Sequence, residues 1–123
     1  MKIDRFENIE SWKKARSIVN KIYKIQFNNQ SMKDYALADQ IRRASISIMA
    51  NIAEGFDSGS DKSFINFLNY AYRSASEVQS LLYISLDQNY ISENEFCELY
   101  EELNYIKNLI GSFIKYLKNS ILE

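Results

Sequence analysis

Five polar side chains recur at helical intervals near the middle of the chain: Gln40, Arg43, Ser47, Asn51 and Glu54. Separations of 3, 4, 4 and 3 residues place them within about 80° of one another on an α-helix. A guanidinium, a carboxylate, two amides and a hydroxyl on one face suit two tasks. They suit a hydrogen-bonded network that fixes how helices or subunits register, because buried polar groups must be satisfied. They also suit the wall of a pocket that binds or transforms a small molecule. The first is the main reading and the second is kept as the alternative.

A second constellation is basic. Between Ser11 and Lys33 there are six Lys/Arg and no Asp or Glu. Lys13, Lys14, Lys21 and Lys24 fall within about 100° of each other on a helix. Clustered positive charge attracts phosphate, so these four are candidate contacts to RNA or DNA. The same pattern is also what the solvated face of an ordinary helix looks like. The pI of about 5.6 sides with that plainer reading, since dedicated nucleic-acid domains are usually basic throughout.

Other chemistries find no residues to carry them. Glu95, Glu98, Glu101 and Glu102 crowd one stretch, but carboxylate-bridged metal sites in bundles also use an E-x-x-H pair, and the chain has no histidine. Histidine-dependent triads and general bases are excluded with it. Asp57-Ser58-Gly59-Ser60 lacks the Gly-Lys-Ser/Thr ending of a phosphate loop. Cys97 is the one cysteine, so no intramolecular disulfide forms, and it has no adjacent base to activate it. No catalytic residue, cofactor site or metal site is expected, and the reading is of a non-enzyme.

The elements that must position these residues are helices. The chain has no proline and three glycines, which permits long uninterrupted helices. The spacing predicts a first helix over Ile9–Phe27, with Trp12, Ala15, Ile18, Val19, Ile22 and Tyr23 on its apolar face. After the polar break Asn28–Ser31, a second helix is expected over Met32–Phe56, with Ser31 as its cap and Asp34 in its first turn. Ala38, Ile41, Ala44, Ser45, Ile48, Ile52 and Ala53 form its inner side, widened by Ile46, Met49 and Phe56. A third helix over Asp61–Gln88 follows, capped by Ser60, with Phe64, Leu68, Ala71, Ala75, Val78 and Leu82 inside. The fourth opens on the capping box Ser92-Glu93-Asn94-Glu95 and carries an apolar stripe from Phe96 through Ile121. Connections this short force antiparallel neighbours, so the expected fold is all-α, an antiparallel up-and-down four-helix bundle spanning residues 1–123 as one domain.

Composition sets the remaining bounds. A hydrophobic share of 46% with 25% charged residues belongs to a globular chain and not a disordered one. No apolar run is long enough for a membrane span. No secretory leader is visible at the charged start, and a lone cysteine suits a reducing cytoplasm. Residues 1–50 carry a net charge of +5 and residues 51–123 a net of −6, an asymmetry that invites pairing within the fold or between subunits. Nine tyrosines suit half-buried bundle edges or a subunit interface equally well.

Three blocks carry a family likeness. Phe6-Glu7-Asn8-Ile9 with Trp12 and Ala15 resembles the opening F-x-x-L-x-x-W-x-x-A of the four-helix-bundle proteins named after intervening sequences in 23S ribosomal RNA genes. Leu37, Gln40-Ile41-Arg42-Arg43-Ala44, Ser47-Ile48 and Asn51-Ile52-Ala53-Glu54-Gly55 resemble the family's central signature. Phe67-Leu68, Ala71, Ser74 and Glu77-Val78 are similar to its third block, with Arg73 where a glycine is common. The resemblance implies an antiparallel four-helix bundle and a ring-like homo-oligomer, with a pentamer favoured. One branch of the family accompanies reverse transcriptases of diversity-generating retroelements, which implies RNA or DNA and a protein as partners. The resemblance assigns no activity.

Overall fold

A computed structural model describes residues 3–29 and 31–122, with side chains to Ser120. A short 3-10 turn at Phe6–Asn8 leads into α1 (Glu10–Tyr23). A two-residue antiparallel ladder follows, β1 (Asn28–Asn29) against β2 (Met32–Lys33), with Asn28 opposite Lys33. Then come α2 (Tyr35–Phe56), α3 (Asp61–Asp87) and α4 (Glu93–Leu122). Each helix packs on its neighbours in the cycle α1–α2–α3–α4–α1. Neighbours run antiparallel: Ser47 meets Ser74 while Gly55 meets Phe64, and Lys21 meets Glu102 while Glu10 meets Tyr105. This is an up-and-down four-helix bundle.

The apolar periodicity explains the packing. Ile18 and Ile22 of α1, Ile41, Ile48 and Ile52 of α2, Leu68 and Leu82 of α3, and Leu103, Ile106 and Ile110 of α4 are all essentially inaccessible. Burying each such side chain contributes about 1.5–3 kcal/mol relative to leaving it in water. Ala15, Ala71 and Ala75 are equally buried, and their small side chains fill places where helices come close. Among the described residues no helix is long and apolar enough to cross a membrane.

The local signals decide the boundaries, and three expectations need correction. Helix α1 stops at Tyr23 instead of Phe27, because Phe27 turns inward to become a fully buried core residue and its carbonyl accepts from the Asp34 amide at 2.7 Å. The expected polar break is a small β ladder, although Gln30 lies outside the described residues. Helix α2 begins at Tyr35, three residues later than Met32, and its cap is Asp34, whose Oδ1 accepts from the Leu37 amide at 3.0 Å; Ser31 has no capping role. The other Asp34 oxygen accepts from the Tyr90 hydroxyl at 3.0 Å, so the cap is braced from the α3–α4 turn. The remaining starts follow the expected chemistry. Ser60 Oγ accepts from the Ser63 amide, and Ser92 and Glu95 exchange both bonds of a capping box, at 2.9 and 3.1 Å. The α3–α4 turn places Asn89 at φ 63°, a left-handed conformation that asparagine tolerates.

Candidate functional site

The polar stripe of α2 faces α3, and its members divide into a centre and a rim. In the centre, the Asn51 side-chain amide donates to the Ser47 carbonyl at 2.8 Å and to Ser47 Oγ at 2.9 Å. Ser47 Oγ is 2.9 Å from Ser74 Oγ across the helix pair. Ser47 therefore ties α2 to α3, and Asn51 braces Ser47 from one turn further along α2. No proton acceptor stronger than another hydroxyl touches either serine, so neither is an activated nucleophile. Gln40, Arg43 and Glu54 are exposed at the rim. Arg43 pairs with Asp39 one turn back through Nε at 3.0 Å, a solvent-exposed pair of small energetic worth.

The glycine that closes this stripe has a steric reason. A Cβ on Gly55 would stand 2.7 Å from both Phe64 Cδ1 and Phe67 Cβ. The end of α2 reaches the start of α3 at that distance because no side chain intervenes.

Outside the centre, α3 carries a second row, of which the core takes Leu81. Phe67, Tyr70, Ser74, Glu77, Leu81 and Ile84 repeat at 3, 4, 3, 4 and 3 residues, the spacing of a coiled-coil seam. Ser74 marks the side of this row that meets α2. Tyr70 is 52% and Ile84 44% exposed. Arg73 lies beside this row with its guanidinium carbon 5.6 Å from the Tyr70 ring centre.

The basic face of α1 lies against the acidic half of α4. Lys21 Nζ donates to Glu102 Oε1 at 2.6 Å and lies 3.7 Å from Glu98. The Glu102 hydrogen bond raises the pKa of this ammonium above its ordinary value. Lys24 borders a hollow shared with Glu95 and Glu98, and Lys13 and Lys14 border one shared with Glu10 and Glu102. Lys14 also stands 5.7 Å from the ring centre of Tyr105. The sequence asymmetry between a basic first half and an acidic second half is thus met in part within one chain.

Several interior polar groups were not foreseen from sequence. Gln79 is buried; its amide donates to Asn104 Oδ1 at 2.8 Å and to the Tyr100 carbonyl at 3.3 Å, and its oxygen accepts from Lys107 at 3.1 Å. Its position beside Val78 on the flank of the core stripe was the available signal. Beside it, Tyr83, Phe96 and Tyr100 form an aromatic cluster with ring centres 4.8–5.9 Å apart, with Tyr83 half exposed. Tyr23, expected on the inner face of α1, is instead half exposed and packs against Arg42. Among the described residues no group of three or more Cys, Asp or Glu side chains converges as a metal site would require.

The chain is a small antiparallel four-helix bundle. A family model, 23S rRNA-intervening sequence protein, matches residues 7–112, and the chain belongs to that family. Its fold is similar to a crystal structure of a protein with unknown function from the S23 ribosomal protein family of Bacteroides thetaiotaomicron. That chain is 30% identical, with a TM-score of 0.77 over 85% of this chain and 95% of the other. No curated protein matches. Neither the family nor the structural neighbour indicates a catalytic class.

Proposed function

We propose that this protein is a non-enzymatic scaffold that self-associates, in a ring of the pentameric kind, and acts by presenting its outer faces to a protein partner. The observation that carries this reading is the outer row of α3. Phe67, Tyr70 and Ile84 keep coiled-coil spacing with the buried Leu81 on a face whose Tyr70 and Ile84 the chain's own core leaves open. Aromatic side chains of this kind are enriched in subunit interfaces. The rim residues Gln40, Arg43 and Glu54 flank that row along α2, with Ser47 and Asn51 between the helices, which suits a role in fixing the register of one copy on the next.

A nucleic-acid role for the α1 face has less support, because Lys21 is engaged by Glu102 and glutamates border the other three lysines. A ligand site on the α2 stripe is likewise the weaker reading, because Ser47 and the Asn51 amide group are already bonded to each other. The test is size-exclusion chromatography of the chain beside a Tyr70→Glu, Ile84→Glu double variant. The variant is expected to elute later with unchanged helicity. Identical elution of the two would remove α3's outer face as the interface.

A further inference from the structure

At the junction of α1 and α2 lies an open groove of about 560 Å³. Its walls include Tyr23, Tyr35, Asp39, Arg42, Arg43 and Ile46. Arg42 is the unusual member. Its guanidinium carbon lies 5.0 Å from the ring centre of Tyr23 and 5.7 Å from that of Phe27, so two aromatic rings hold it in place. Its Nε is shielded from water and has no acceptor among the described residues. The carboxylate in the groove does not pair with it, because Asp39 is taken by Arg43. Lys33 adds a further cation, its ammonium 5.3 Å from the ring centre of Tyr35.

The charges and shapes select a ligand class. Arg42 and Arg43 against Asp39 leave one positive charge in excess in the groove, and Lys33 on Tyr35 adds another nearby. A phosphomonoester carries about −1.5 to −2 charges at neutral pH and three acceptor oxygens. The planar fork of an arginine fits such an oxyanion, and a guanidinium already held by ring contacts loses little freedom on binding it. Beside Arg42, Tyr23 and Tyr35 are 48% and 72% exposed and offer ring surface to a planar group. The volume lies within the usual span of about 300–1,000 Å³ for small-ligand sites.

We propose that this groove binds a small phosphomonoester bearing an aromatic ring, of the nucleoside monophosphate kind, with Arg42 as the principal phosphate contact. Arg43 and Lys33 supply supporting charge, and Tyr23 and Tyr35 contact the ring. The site goes beyond the scaffold reading and does not depend on it.

Calorimetric titration of the full chain with adenosine 5′-monophosphate at low salt tests this, with adenosine and inorganic phosphate as separate arms. One nucleotide per chain is expected, with each half-ligand weaker by about tenfold or more. Arg42→Gln is expected to weaken the nucleotide by about tenfold, and Arg42→Lys by less because the charge remains. Tyr35→Ala removes an exposed ring from a helix end, so it keeps the fold intact and reads the ring contact should Arg42→Gln disturb packing. Absence of nucleotide binding at millimolar concentration overturns the proposal. So does nucleotide affinity equal to that of phosphate, or nucleotide affinity unchanged in both Arg42→Gln and Tyr35→Ala.

Discussion

Two glycines in helices of this bundle respond oppositely to the same substitution. Alanine is favoured over glycine in a helix interior by about 1 kcal/mol, and both Gly55 and Gly111 lie in helices with no positive φ. At Gly111 an added Cβ meets nothing within 4 Å, so Gly111→Ala gains the full propensity term. At Gly55 the new carbon stands 2.7 Å from Phe64 Cδ1 and 2.7 Å from Phe67 Cβ, with Phe64 Cε1 at 3.2 Å. Carbon pairs rest at about 3.5–4.0 Å, so α2 and α3 must part by roughly 1 Å. Rotating the ring relieves Phe64, but Phe67 Cβ is fixed to the backbone and no rotamer moves it. Overpacking of that kind costs about 3 kcal/mol, the upper end of its usual span, and the propensity gain offsets about 1 of it. Gly55→Ala should therefore destabilise by about 2 kcal/mol. For a chain of this size that is a fall of about 8 °C in melting temperature, against a rise of about 4 °C for Gly111→Ala. Circular-dichroism melts at one fixed protein concentration read both, which keeps any self-association constant between samples. A Gly55→Ala protein melting at or above the parent would show that the α2–α3 approach is not the reason for the glycine.

Other consequences are equally concrete. The Glu102 hydrogen bond raises Lys21 above its ordinary value of 10.5, so that pair's stabilisation is present below pH 10.5 and is lost as pH rises through the raised folded value. With 40% of the Lys21 side chain exposed, Lys21→Gln should cost less than about 1 kcal/mol in chemical denaturation at neutral pH, and less again in high salt. Ser92→Ala removes the hydroxyl half of the α4 capping box and should lower stability by about 1 kcal/mol in the same assay. Burial and the hydrogen bond to Asp34 both raise the Tyr90 pKa, so its phenolate should form at higher pH than an exposed tyrosine's, and Asp34→Asn should reduce that gap in an ultraviolet titration. If Lys13, Lys14, Lys21 and Lys24 do contact RNA or DNA, replacing all four with glutamate should abolish salt-sensitive filter binding, and binding that survived would exclude this face.

The helices were legible because their signals are local. The serine caps of α3 and α4 and the 3-and-4 spacing of the core stripes depend on residues within a turn or two of each other. The N-terminal end of α2 was not, because its cap choice depends on distant groups: Asp34 prevails over Ser31 where Phe27 folds into the core and Tyr90 reaches Asp34 from the α3–α4 turn. The polar stripe on α2 was visible as a pattern, but its division into a bonded centre and an exposed rim required Ser74, a residue on another helix. The lysine face shows the same limit, since the glutamates that neutralise part of it lie about 80 positions away in sequence. The Arg42 groove stayed hidden for a related reason. Helical spacing sets Arg43 on the polar stripe and Arg42 off it, and only the packing against Tyr23 and Phe27 reveals Arg42 as a held cation.

Sedimentation equilibrium of the full chain, over a series of micromolar concentrations, addresses the scaffold reading most directly. The predicted mass is a multiple of the 14.4 kDa protomer, close to fivefold, falling toward one protomer when Tyr70 and Ile84 are both replaced by glutamate. A parent protein that stays at 14.4 kDa throughout the series would contradict it.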